Sequence, residues 1–232
     1  MAGARHTSGQ KRDGAKAGAR MTDITDKEAQ HLHRLILFSD AVFAIAITLL
    51  AIEIHPPEGW HGDVGSFFHL MANKLVAYAV SFAAIGVLWI SHRRTFSRLR
   101  KADGVLDVLN FLMLGLVALL PLGTELLWEA NSMGALIIYV GLVGCVGVAQ
   151  GLAWGYAAFI GKLAEPIDLP TRLFILARVS LLPGLFCGLS FVSVLTRTPW
   201  GFVAIGAIAV GLSFVGRRLQ PKPEPEPEPE AA

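Results

Sequence analysis

The sequence predicts an all-α integral membrane protein with six transmembrane helices per subunit. Three observations predict it. Of 232 residues, 53% are hydrophobic and only 16% charged, whereas soluble domains carry roughly 25% charged residues. The charges fall in short blocks between long apolar runs, and each run is long enough to cross a hydrocarbon core of about 30 Å as a helix. Nothing alternates with the two-residue period of a membrane barrel. This composition excludes a soluble enzyme domain and a disordered chain. A formal charge of +2 gives no reason to expect a nucleic-acid partner.

The elements follow in order. Residues 1–33 are polar, rich in Gly, Ala, Lys and Arg, and are expected to form a flexible cytoplasmic tail. They hold no apolar h-region of a secretory signal. Apolar segments then run over about 35–54, 68–91, 105–127, 134–160, 173–195 and 199–216. With the backbone unable to find water in lipid, each is expected to be helical, and together residues 34–218 form one membrane domain. Pro121 and Pro183 are expected to bend their spans. Residues 219–232 alternate Pro with Glu, which removes backbone donors and predicts an extended, solvated tail.

Lys and Arg orient the bundle. Seven precede the first span (Arg5, Lys11, Arg12, Lys16, Arg20, Lys27, Arg34). Five lie between spans two and three (Arg93, Arg94, Arg98, Arg100, Lys101). Lys162 and Arg172 follow span four, and Arg217, Arg218 and Lys222 follow span six. The opposite side carries only Arg197. The positive-inside rule therefore places both termini in the cytoplasm. Trp128 and Trp200 fall at outer ends and Trp89 and Trp154 toward inner ends, as membrane interfaces favour.

Few residues carry chemistry. Cys145 and Cys187 lie inside spans without a companion Cys or His cluster, so neither a disulfide nor a metal site is expected. No nucleophile–base pair is visible, so no enzymatic activity is expected. No cofactor is implied. Gly147-x-x-x-Gly151-x-x-x-Gly155 reads as a helix-packing stripe. Lys74 sits near the outer end of span two and is placed to snorkel. Arg178 lies about two turns into span five. Pairing with Asp40 or Asp107 and snorkelling inward both remain open. Asp40, at the inner edge of the first span, is expensive there unless it finds a partner.

The run Arg34-Leu35-Ile36-Leu37-Phe38-Ser39-Asp40 resembles the R-x-x-x-F-S-D signature of the transmembrane protein 175 family, the lysosomal potassium channels of animals and their prokaryotic relatives. Trp89-x-x-His92, Phe96, Asp103, Asn110 and Pro121 extend the resemblance through span three. Later spans match mainly in hydropathy. A single six-span repeat resembles the prokaryotic form.

The resemblance implies a homotetramer in which the first span of each subunit lines a central pore. It implies a potassium-permeable channel of the plasma membrane, with Ile45, Leu49 and Ile52 as apolar constriction rings and Thr48 beside them. It also implies a structural cluster of Arg34, Phe38, Ser39, Asp40, His92 and Asn110 holding the inner end of that span. The chain contains no Thr-Val-Gly-Tyr-Gly carbonyl filter, so selectivity between potassium and sodium is expected to be modest. The alternative reading is a proton-coupled secondary transporter relaying through Asp40, Arg178 and His92. Against it, the midplanes are apolar and no internal repeat is visible.

Overall fold

The computed structural model describes residues 6–56, 60–130, 132–196 and 211, with side chains over the described part of 26–183 and at 185, 186, 189 and 211. Among the described residues the α-helices with assigned bounds are α1 (His6–Ile52), α2 (Val64–Phe96), α3 (Gly104–Ala118), α4 (Leu120–Glu129), α5 (Met133–Gly155) and α6 (Leu169–Thr196). Among the described residues, four segments are long and apolar enough to cross a membrane: Asp26–Ile52, Val64–Phe96, Gly104–Glu129 and Met133–Ile160. The fifth expected span coincides with α6. The sixth, at 199–216, and the Pro/Glu tail at 219–232 lie outside the described residues. The chain divides into two compact units, Met1–Gly184 and Leu185–Ala232, and the site lies in the first.

Residues 6–33, expected as a flexible tail, are helical and run without a break into the first span. The physical reason lies in the composition. No proline precedes Pro56, and Ala, Lys, Arg, Gln and Glu are strong helix formers.

α2 starts where Asp63 caps it, its carboxylate accepting from the Ser66 amide at 2.7 Å. That bond holds the Asp63 carboxyl below the usual carboxylate range. α3 is capped the same way by Asp103 and α5 by Ser132, as N-cap preferences dictate.

Pro121 interrupts the third span. It has no N–H to offer Val117, so the ladder breaks at Leu119, whose amide turns to Leu116 O at 3.2 Å. The regular bonds resume with Gly123 N to Leu119 O at 3.1 Å. The span is therefore two helices, α3 and α4. Pro183 behaves differently, since α6 runs through it.

The fourth span ends in a π-turn, Tyr156–Ile160, closed by Gly161 N to Tyr156 O at 2.8 Å. Lys162 then takes a left-handed backbone, φ 51°, and Leu163 N reaches back to Ala157 O at 2.9 Å. Arg172 donates to Ala158 O and Ile167 O, satisfying carbonyls that a helix end leaves open. Leu99 and Ala164 form an antiparallel bridge that ties the α2–α3 loop to the α5–α6 loop. Beneath that bridge lies a core of Leu32, Phe96, Leu106, Trp154 and Ala157 with their neighbours.

α3 and α4 pack on α5, and α1 packs on α2 and α3. The glycine stripe on α5 faces α6. A methyl on Gly147 would meet Pro183 Cβ and Cγ at 2.9 Å, and one on Gly151 would overlap the Ser180 hydroxyl. Close helix approach is what these glycines allow.

Candidate pore helix and its inner anchor

α1 has two unlike faces. Ser39, Phe43, Ala46 and Leu50 are buried, at the spacing of one helix stripe. Ile45, Leu49 and Ile52 are exposed in the subunit by 57%, 36% and 63%. At about 100° per residue they point roughly 90–150° away from the buried stripe. Thr48 is exposed on the same side, and its hydroxyl donates to Ile45 O at 2.9 Å.

The buried stripe begins in a polar chain. Ser39 Oγ donates to Leu35 O at 2.8 Å. Asn110 Nδ2, from α3, donates to Ser39 Oγ at 2.9 Å. Asn110 Oδ1 then faces His92 Nε2, from α2, at 2.9 Å. The proton assignments follow from these partners. Ser39 has spent its only proton on Leu35, so the Asn110 amide must donate to it, and His92 Nε2 must carry the proton given to Asn110 Oδ1. Ser39, His92 and Asn110 are each at most 1% exposed. Phe96 stacks on the imidazole with centroids 4.0 Å apart, and Phe43 of α1 tilts against it at 5.6 Å. Three helices thus meet at one small polar knot inside apolar packing.

The other residues expected in this cluster stand apart from it. Asp40 is half-buried and accepts from the Trp89 indole N–H at 2.7 Å. Its partner is Trp89, not Arg34 or Arg178. Arg34 is exposed and makes no ion pair or side-chain hydrogen bond among the described residues. It lies about 140° around the helix from Ser39, so it cannot reach the knot. Phe38 is exposed and stacks on Phe111 of α3, centroids 6.5 Å apart. Asp107 does not join the cluster either, and pairs with His31 at 3.0 Å.

Two contributors were not anticipated from the sequence as partners. Trp89 shares a face of α2 with His92, three residues on, and a buried indole N–H needs an acceptor, so its pairing with a carboxylate was within reach of the spacing. Gln150 of α5 donates to Leu88 O at 3.0 Å. Its Oε1 and His92 Nδ1 are buried without a partner among the described residues, and both residues line one small cavity with Thr95, Phe96, Met113 and Ala153. A lone mid-span Gln was the signal.

Just outside the membrane segments, Asp103 accepts from the Leu106 amide at 2.9 Å and the Tyr156 hydroxyl at 2.7 Å. Burial works against its charge, but these bonds outweigh it and hold the carboxyl below the usual carboxylate range. At the other end of the bundle, Lys74 Nζ sits over the Trp128 ring, 5.9 Å from its centroid.

Comparison with known proteins places this geometry. Residues 34–121, which contain α1's membrane face, α2 and α3, match the family model described as the endosomal/lysosomal potassium channel TMEM175. A potassium channel of Streptomyces collinus is 36% identical over 187 residues, covering 74% of this chain and 89% of the relative. A potassium channel of Chamaesiphon minutus is 35% identical over 181 residues, covering 72% and 88%. The human endosomal/lysosomal proton channel TMEM175 is 35% identical over 140 residues, covering 57% of this chain and 27% of that protein. Among solved structures, the crystal structure of a lysosomal potassium-selective channel TMEM175 homolog from Chamaesiphon minutus superposes with a TM-score of 0.62. Its identity is 29%, with 81% of this chain and 98% of that chain covered. This chain, a multi-pass membrane protein, belongs to the TMEM175 family.

Proposed function

We propose that the chain is a potassium-permeable cation channel with a modest preference for potassium over sodium. It acts as a homotetramer in the plasma membrane, both termini cytoplasmic, with α1 of each subunit lining the pore. The observation that carries this reading is the two-faced α1. One face is locked to α2 and α3 through Ser39, Asn110 and His92. The other presents Ile45, Leu49 and Ile52, exposed among the described residues.

Ala41, Ala44, Thr48 and Ala51 are exposed on the same half of α1. Small residues let copies of a helix approach closely, which supports α1 against α1 around an axis rather than α1 against lipid. Four copies would stack Ile45, Leu49 and Ile52 as rings, Ile45 nearest the cytoplasm. Such a ring offers an ion no ligands, so passage costs dehydration and the ring closes by dewetting. Potassium holds its water less tightly than sodium, hence the modest preference. The relatives' names favour a channel over a coupled transporter, and α1 is unbroken through the bilayer, unlike the discontinuous helices of transporter sites.

Planar-bilayer recordings test the reading. Reversal potentials under potassium–sodium and pH gradients should show unitary currents with potassium favoured. Ile45→Asn should hydrate the ring, raise the current and lower the potassium preference, while Leu112→Asn, exposed on α3, should change neither. Unchanged current and selectivity in Ile45→Asn, Leu49→Asn and Ile52→Asn alike would remove α1 from the pore. Reversal that tracks the proton gradient alone would replace potassium by protons as the permeant ion.

A further inference from the structure

Arg34 is a charge that neither the polar knot nor the apolar rings use. It is exposed and makes no ion pair and no side-chain hydrogen bond among the described residues. Its neighbours one turn away on α1 are Gln30, His31, Leu37 and Phe38, none of them acidic. The carboxylates nearest in the fold are engaged elsewhere. Asp40 takes the Trp89 indole N–H, and Asp107 of α3 takes the His31 ring.

Its place on the helix gives this charge a use. α1 runs without a break from His6 to Ile52, so angles add along it at about 100° per residue. Arg34 comes eleven residues before Ile45, about 20° from it around the axis and roughly 17 Å nearer the helix N-terminus. Phe38 and Ala41 lie between them, about 20° and 40° from Ile45, and both are exposed. Phe38 leans on Phe111 of α3 yet keeps 48% of its surface open. Arg34 therefore continues the line of Ile45, Leu49 and Ile52, away from the bonds that tie α1 to Asn110 and His92.

We propose that Arg34 of each subunit forms an electropositive ring at the cytoplasmic mouth of the pore, which lowers the local cation concentration there and holds back divalent cations above all. The ring rests on the tetrameric pore proposed above. A fixed charge acts on every ion that passes within a Debye length, about 8 Å at physiological salt. Charged clefts generate potentials of several kT. At about one kT a monovalent cation is depleted roughly threefold and a divalent one roughly sevenfold, because ionic charge enters the Boltzmann factor as an exponent.

The apolar rings make this depletion matter. A constriction without ligands cannot replace the water of a strongly hydrated divalent ion, so such an ion arriving from the cytoplasm lodges below Ile45 and blocks. Arg suits the position because its guanidinium stays charged at any cellular pH. At the other end of the line, the first charged residue beyond Ile52 is Glu53, an acid. The two mouths thus differ in sign, and current should pass inward more readily than outward.

Excised inside-out patches of the full chain in symmetric potassium chloride test the ring, since they bathe the cytoplasmic face. At about 10 mM salt, where the Debye length is about 30 Å, outward current should be smaller than inward; at about 1 M, where it is about 3 Å, the two should be equal. Arg34→Gln should raise the low-salt outward current about threefold and lower the half-blocking magnesium concentration in the bath about sevenfold. Arg34→Lys keeps the charge and should behave as the parent. Arg100→Gln, exposed on the same basic rim but off the pore helix, should change nothing. None of these should shift the reversal potential under a potassium–sodium gradient, which separates the ring from the Ile45 constriction. Absence of low-salt rectification in the parent would overturn the proposal, and this reading holds even where Arg34→Gln assembles poorly. So would an equal rise in outward current in Arg100→Gln, which means diffuse rim charge. Weakened tetramers with unchanged rectification in Arg34→Gln would make Arg34 a contact between subunits instead. If Ile45→Asn shifts the reversal potential while Arg34→Gln leaves rectification alone, the ring falls and the pore stands. If neither variant changes the current, the pore falls and the ring with it.

Discussion

Replacing Asn110 by Ala tests whether the polar knot is one structural unit. The side chain is 1% exposed and makes two hydrogen bonds of 2.9 Å, to Ser39 and to His92. Its loss affects the two partners unequally. Ser39 keeps its bond to Leu35 O and forfeits only an incoming donor. His92 Nε2–H is stranded, and a tautomer change brings no relief, because Nδ1 has no partner among the described residues either. A stranded buried donor costs about 1–3 kcal/mol. Interhelical hydrogen bonds in membranes average nearer 0.6 kcal/mol with a maximum of about 1.7, which sets the lower end. With the void left by the amide added, Asn110→Ala should cost about 2–3 kcal/mol, roughly a 30- to 150-fold shift toward the unfolded state. Ser39→Ala strands one Asn110 N–H and should cost about 1–2 kcal/mol. The double variant should fall short of the sum by at least about 0.5 kcal/mol. Reversible unfolding in mixed micelles measures all three. An Asn110→Ala change under about 0.5 kcal/mol, or strict additivity, would refute the single-unit reasoning.

Three further expectations follow from the same structure. Gly147→Ala should destabilise by about 1–3 kcal/mol through overpacking against Pro183, while Gly144→Ala, with nothing within 4 Å, should be neutral or gain up to about 1 kcal/mol of helix propensity; thermal melts of both variants compare them. The Asp103 carboxyl is held below its usual range, so its stabilisation is complete above the unfolded carboxylate pKa of about 3.9 and is lost as pH falls through the lower folded value. Tyr156→Phe should raise the Asp103 pKa and shrink that acid-sensitive contribution, as a pH series of melts would show. Cysteines introduced near either terminus of a Cys145→Ser/Cys187→Ser variant should resist an impermeant thiol reagent added outside intact cells, and labelling of either would reverse the proposed topology.

The membrane helices were legible because hydropathy is a local property with a length threshold. The grouping of Ser39, His92 and Asn110 comes from the family resemblance rather than from the residues themselves: alone, Asn110 could satisfy any neighbouring helix and His92, beside a basic loop, could be solvated. Arg34 shows where motif reasoning stops. It is five residues from Ser39, and five residues at 100° each turn it to the far side of α1. Sequence proximity within a motif is not a shared face. The pairings of Asp40 with Trp89 and of Asp107 with His31 depend on how α1 lies against α2 and α3, which no single helix encodes. The helical stretch before the first span is hidden for another reason. Polarity there suggests a flexible tail, although the residues favour helix and no proline stops it.

The placement of the knot bears on how an apolar pore keeps its properties. A ring without ligands discriminates through its width, because the hydration an ion must shed depends steeply on the space left to it. Width in turn depends on where each α1 sits. Ser39 lies six residues below Ile45, about 9 Å along the helix, and thirteen below Ile52, about 20 Å. In the proposed pore the Ile45 ring is therefore the one most directly held by the bonds to Asn110 and His92. Phe43, one turn above Ser39 on the buried face and packed against the His92 ring, extends that hold by one turn. Toward the other end the buried contacts of α1 are Ala46 and Leu50, apolar and without directional bonds. Loosening the knot should widen the spread of Ile45 positions before it disturbs Ile52. An Asn110→Ala channel that still assembles should then lose potassium preference in the way Ile45→Asn does, by a change of width rather than of chemistry. Intact preference in an assembled Asn110→Ala channel would separate the knot from the ring and leave it a purely structural device.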